Sequence, residues 1–162
     1  MFDDAILSPA RDVLRRCEAV GLKLATAESC TGGLVAGALT AIAGSSRVVE
    51  RGFVSYSNEA KAELLGVPPT LILKHGAVSA HVARAMADGA LARSAAGITV
   101  SLTGVAGPDG GTDAKPVGLV YIGCARHGHE TAVERHQFPG DRDAVRHASV
   151  IAALTLVLRQ LG

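Results

Sequence analysis

Ser29, Tyr56 and Lys61 carry a hydroxyl, a phenol and an amine, the groups of nucleophilic attack and proton transfer. Each follows a stretch with the pattern of a β-strand. Ser29 sits in Ala27-Glu28-Ser29-Cys30-Thr31-Gly32-Gly33, after the alternating run Leu22-Lys23-Leu24-Ala25-Thr26 and before Leu34, Val35, Ala38, Leu39 and Ile42 at helical spacing. The plainer reading makes Ser29 a helix N-cap. Gly32 and Gly33 favour a sharper one, because each costs about 1 kcal/mol in a helix relative to Ala. Two in a first turn imply that a polar ligand approaches the free amides and the positive dipole end closely. Tyr56 and Lys61 have dull readings too, as a strand end and a solvated lysine. The glycine-rich loop Thr103-Gly104-Val105-Ala106-Gly107-Pro108-Asp109-Gly110-Gly111 follows a third strand. If the three strands run parallel, all these groups fall outside their carboxyl ends, where open α/β sheets bind ligands.

The elements that must position them follow from periodicity. Ala5–Val20 is an amphipathic helix stopped by Gly21, and the helix after Ser29 runs out at Ala43-Gly44. Val48–Tyr56 is the second strand, with Gly52 as a bulge, and Ser57-Asn58 caps a short helix, Glu59–Leu65, closed by Gly66. A helical turn from Pro68-Pro69 to Gly76 precedes a helix capped by Ser79, and Ile98–Leu102 is the third strand. Pro116–Ala125 and Thr131–Phe138 are joined by Arg126-His127-Gly128-His129, short enough for a hairpin and too short for a parallel crossover. Asp141–Leu161 is a closing helix. The expected fold is a three-layer α/β/α sandwich with a mixed, mostly parallel sheet ending in a C-terminal hairpin and helix.

At 162 residues the chain is expected to form one domain over 1–162. Sixteen Lys and Arg against fifteen Asp and Glu leave no electrostatic footprint for a nucleic acid or an anionic membrane. No apolar run reaches the roughly 18 residues of a membrane span, and Met1-Phe2-Asp3-Asp4 lacks the start of a signal peptide. A soluble, cytoplasmic protein is expected. Cys17, Cys30 and Cys124 are an odd number without CxxC spacing, and the six histidines form no HxxxH or HExxH pattern, so neither a disulfide framework nor a metal site is expected.

Glu28-Ser29-Cys30-Thr31-Gly32-Gly33, Tyr56-Ser57-Asn58-Glu59-Ala60-Lys61, His75-Gly76-Ala77-Val78-Ser79 and Thr103–Gly111 with Lys115-Pro116-Val117-Gly118 closely resemble the CinA C-terminal domain family. The resemblance covers nearly the whole chain and is to the stand-alone form, the PncC-type nicotinamide mononucleotide deamidases. Ala43, where Pro is common, and Arg51, where some members have Gly, are departures outside the motifs. The resemblance implies a three-layer fold, a homodimer, and hydrolysis of nicotinamide mononucleotide to nicotinate mononucleotide and ammonia without cofactor or metal. It makes Ser29 the nucleophile, Lys61 the general base and Tyr56 the third catalytic member, bridging the pair or relaying a proton.

Chemistry then asks for an oxyanion hole, for which the amides of Cys30, Thr31, Gly32 and Gly33 are candidates. It also asks for a phosphate anchor. The candidates are the loop residues Thr103, Gly104, Ala106 and Gly107 and the side chains Arg142 and Arg146, one helical turn apart, whose dull reading is a solvated helix face. Cys30 is the rival nucleophile, since a thiol at a helix N-terminus has a lowered pKa. No histidine stands at a motif position to pair with it. The competing function is a module that binds a nucleotide without turning it over, though binding alone requires no base beside a serine.

Overall fold

The computed structural model describes residues 1–162. Five strands form one sheet in the order β2-β1-β3-β4-β5: β1 (Leu24–Glu28), β2 (Val49–Val54), β3 (Ile98–Gly104), β4 (Leu119–Arg126) and β5 (Ala132–Gln137). β1 pairs parallel with β2 and β3, whereas β4 is antiparallel to both β3 and β5. Four of the five strands therefore run the same way, and the expected mixed, mostly parallel sheet is present.

Helices α1 (Asp4–Ala19), α2 (Leu34–Thr40) and α6 (Arg142–Leu161) cover one face, sharing a core with Leu24, Val100, Leu102, Val120 and Ile122. Helices α3 (Asn58–Leu65), α4 (Pro69–His75) and α5 (Ala80–Ala92) cover the other around Ala27, Leu65, Val82 and Met86. Covered on both sides, β1 is buried along its whole length, as parallel central strands are. Although α6 is long and apolar enough to cross a bilayer, Val145, Val150, Ala153, Leu154 and Val157 bury one side of it in the core.

Two expectations need correcting. The irregularity in β2 lies at Glu50, where the register jumps from Val49 opposite Leu24 to Arg51 opposite Ala25; Gly52 pairs in register with Thr26. Gly52 is small for a different reason. A Cβ there would stand 2.9 Å from Thr26 Oγ1 and 3.3 Å from Ala36 Cβ, so glycine lets α2 sit close to the sheet. Nor does Ser29 cap a helix: α2 begins only at Leu34, with Gly33 in the N-cap position.

Candidate active site

The turn between β1 and α2 is shaped by a residue that the sequence reading passed over. Glu28, fully buried at the end of β1, accepts from Thr31 Oγ1 (2.7 Å), Val35 N (2.9 Å) and Ala36 N (3.1 Å). It caps α2 from a distance and meets the positive end of its dipole with a negative charge. Gly32 and Gly33 take left-handed backbone with φ of 58° and 103°, which explains both glycines by conformation. Thr31, Gly32 and Gly33 consequently do not line the cavity described below. The Gly32 amide donates to the Ser29 carbonyl (3.0 Å), so it is unavailable to an oxyanion.

That turn holds Ser29 by main-chain bonds that continue the sheet. Ser29 N donates to Leu102 O (3.0 Å), and Ser55 N donates to Glu28 O (2.9 Å). Lys61 arrives from α3, whose N-cap is Ser57, with Ser57 Oγ accepting from Ala60 N (3.0 Å). Helical side chains tilt toward the N-terminus, and this one reaches back over the first turn to the end of β2. Its Nζ lies 3.1 Å from each of Ser29 Oγ, Ser55 O and Tyr56 O. Lys61 is 1 % exposed, and burial pushes its pKa down from the ordinary lysine value. Glu59 and Glu63 on the same helix both face solvent, so neither carboxylate opposes that shift from inside.

Ser29, Lys61, Cys30, Tyr56, Thr103, Gly104, Ala106, Gly107 and Arg142 all line one cavity of about 310 Å³, with Asn58, Ala77, Val78, Val105, Asp109 and Gly110. Tyr56 meets the Ser29–Lys61 pair through its carbonyl. Its phenol is at the mouth, where Arg142 Nη2 donates to it (3.2 Å) while Arg142 Nη1 donates to Gly107 O (2.7 Å). Thr103 Oγ1 donates to Ala77 O (2.8 Å), and Val105 N donates to Leu119 O (2.9 Å), committing two loop donors to the scaffold. Arg146 is absent from the lining. It donates to the carbonyls of Cys30 (3.2 Å) and Thr31 (3.3 Å) and braces the Ser29 turn from α6. A larger groove of about 530 Å³ between α3 and α4 holds no nucleophile.

Cys30 departs from its expected chemistry. Its thiol is 6 % exposed, and burial raises its pKa to about 11, against the lowering that a helix N-terminus would give. The reason is the displaced helix start, which leaves the thiol in apolar packing. No three His, Cys, Asp or Glu side chains converge anywhere in the chain.

The arrangement is one that can transfer protons between a serine and a lysine shielded from water, and the chain as a whole is similar to known proteins. Nicotinamide-nucleotide amidohydrolase PncC of Escherichia coli K12 is 47 % identical over 160 residues, covering 99 % of this chain and 97 % of that protein. A CinA-like protein of Geobacter sp. M21 is 57 % identical over 134 residues, and there this chain spans about a third (32 %) of the longer protein's length. The crystal structure of competence/damage inducible protein CihA from Agrobacterium tumefaciens superposes with a TM-score of 0.96 at 44 % identity, covering 98 % of this chain and 97 % of that one. The CinA C-terminal domain family pattern matches residues 7–161, and with the fold and a near full-length relative agreeing, the chain belongs to the CinA C-terminal domain family.

Proposed function

We propose that this chain is a nicotinamide-nucleotide amidohydrolase that converts nicotinamide mononucleotide and water to nicotinate mononucleotide and ammonia. The buried contact between Lys61 Nζ and Ser29 Oγ carries the proposal. As a neutral amine, Lys61 donates its two N–H bonds to Ser55 O and Tyr56 O, and its lone pair is left for the Ser29 hydroxyl proton. Ser29 Oγ then attacks the carboxamide carbon, and the Cys30 amide beside it is the donor for the oxyanion. The ammonium of Lys61 returns its proton to the departing nitrogen, the C–N bond breaks, and ammonia leaves an acyl-serine. Water, deprotonated by the same lysine, attacks the ester; Lys61 returns that proton to the departing Ser29 Oγ, and the acid product leaves as its carboxylate after giving its proton to solvent. Arg142 at the mouth takes the phosphate, and the Tyr56 phenol steadies Arg142. A homodimer serving pyridine nucleotide salvage in the cytoplasm belongs to the same proposal, as what the family resemblance implies.

A module that only binds nucleotide has no use for a buried lysine on a serine. Ammonia release from nicotinamide mononucleotide tests the proposal, with free nicotinamide as the poor-substrate control. Ser29→Ala should abolish release while the protein stays folded, and Cys30→Ala should keep most of it. An active Ser29→Ala with a dead Cys30→Ala would move the nucleophile to the thiol.

A further inference from the structure

The mouth of the cavity carries two opposite charges, Arg142 and Asp109, and Asp109 is the one carboxylate in the lining. It is exposed, and no hydrogen bond or ion pair ties it to the protein. The loop that presents it turns at both ends, at Gly107 (φ +85°) and Gly110 (φ +86°), and is pinned by Arg142 through the Gly107 carbonyl. A carboxylate at the entrance of a site for a doubly charged phosphate repels that phosphate. It is matched instead to a part of the ligand that offers positive charge or hydrogen-bond donors. The reactive pair fixes the carboxamide at the buried end, and Arg142 fixes the phosphate. The ribose between them carries two neighbouring hydroxyls, and a carboxylate, an acceptor only, matches that pair as it matches the ribose of dinucleotides elsewhere.

We infer that Asp109 is a specificity-determining residue that reads the ribose hydroxyls of the substrate. The inference rests on the amidohydrolase reading above and adds the sugar to it. Thr103 Oγ1, whose proton goes to Ala77 O, is an acceptor too, but it is buried at 1 % exposure and uncharged. Asn58 is the other unpaired side-chain acceptor of the lining, at the start of α3.

The test compares kcat/KM for ammonia release from nicotinamide mononucleotide and from its 2′,3′-dideoxyribose analogue. Hydrogen bonds to a charged acceptor predict that the wild type prefers the ribonucleotide by about 10- to 100-fold. In Asp109→Ala that ratio should fall to about one, chiefly through KM, with Asp109→Asn between the two because it keeps one acceptor oxygen. An Asp109→Ala protein that keeps the wild-type ratio overturns the inference. So does an equal loss on both substrates, which would mark a role toward the cationic pyridine ring or the loop itself. A wild type that releases no ammonia from either overturns the amidohydrolase reading and this inference together, an outcome distinct from the other two.

Discussion

At the scale of single residues, the proposed reaction depends on an uncharged Lys61 amine. An unperturbed lysine titrates near 10.4, so a base useful at neutral pH needs roughly three pKa units of depression. Burial pushes Lys61 in that direction, since moving an ammonium out of water favours the neutral form. The helix contributes little: Lys61 is the fourth residue of α3, and dipole effects there are worth about 0.3–1 kcal/mol. The two carbonyls around Nζ oppose the shift, because they accept well from a cation, yet each also accepts from a neutral amine. Activity then rises with pH, as the fraction of deprotonated Lys61 grows, and a kcat/KM profile should show that basic limb. Lys61→Arg should be nearly inactive despite keeping the charge, because guanidinium stays protonated and cannot take the serine proton. A flat profile between about pH 6 and 9, or a vigorous Lys61→Arg enzyme, would assign activation of the serine to another group.

At the scale of elements, the β1–α2 turn is held by Glu28 more than by any residue with chemistry of its own. A carboxylate accepts all three donors that point at it, Thr31 Oγ1, Val35 N and Ala36 N. An amide of the same shape cannot, because its NH₂ meets a donor. Glu28→Gln should therefore lose about 2–4 kcal/mol of stability, seen as a lower denaturation midpoint at unchanged slope. Turnover should fall as well, since the Ser29 carbonyl and the Gly32 amide close the same turn. A variant with wild-type midpoint would show that the turn is held by Arg146 and the main chain alone. β3 shows a related economy. Thr99, Ser101 and Thr103 alternate along one face and donate to the carbonyls of Ala87, Ala83 and Ala77. A face that alternation alone would give to solvent is instead sealed under α5 and the segment before it.

At the scale of the whole molecule, the reacting pair bridges the sheet and the α3–α5 layer, so packing of that layer sets the distance between Ser29 and Lys61. Gly89 on α5 is the tightest such contact: a Cβ there would come 1.9 Å from Leu65 O, at the end of the helix that carries Lys61. Gly89→Ala should cost about 1–3 kcal/mol by overpacking and reduce kcat roughly ten- to hundredfold by moving α3. Loss of stability with an intact kcat would mean that α3 follows the serine as a rigid unit. The sequence alone determined the layered architecture, because helical and strand periods, cap residues and glycine stops are local and agree along the chain. It also made Ser29, Tyr56 and Lys61 neighbours, since parallel β1, β2 and β3 bring their carboxyl ends to one edge. Where the helix after Ser29 begins, why Gly52 is small, the Arg142–Tyr56 contact at the mouth and the bracing role of Arg146 were decided only by the tertiary structure. Each depends on a contact that strand and helix periods do not encode: Glu28 reaches seven residues on to the start of α2, and α6 lies more than a hundred residues from the loop it braces. Local pattern carries no information about such distances, and the protonation of Cys30 and Lys61 follows from burial that only the packed molecule creates.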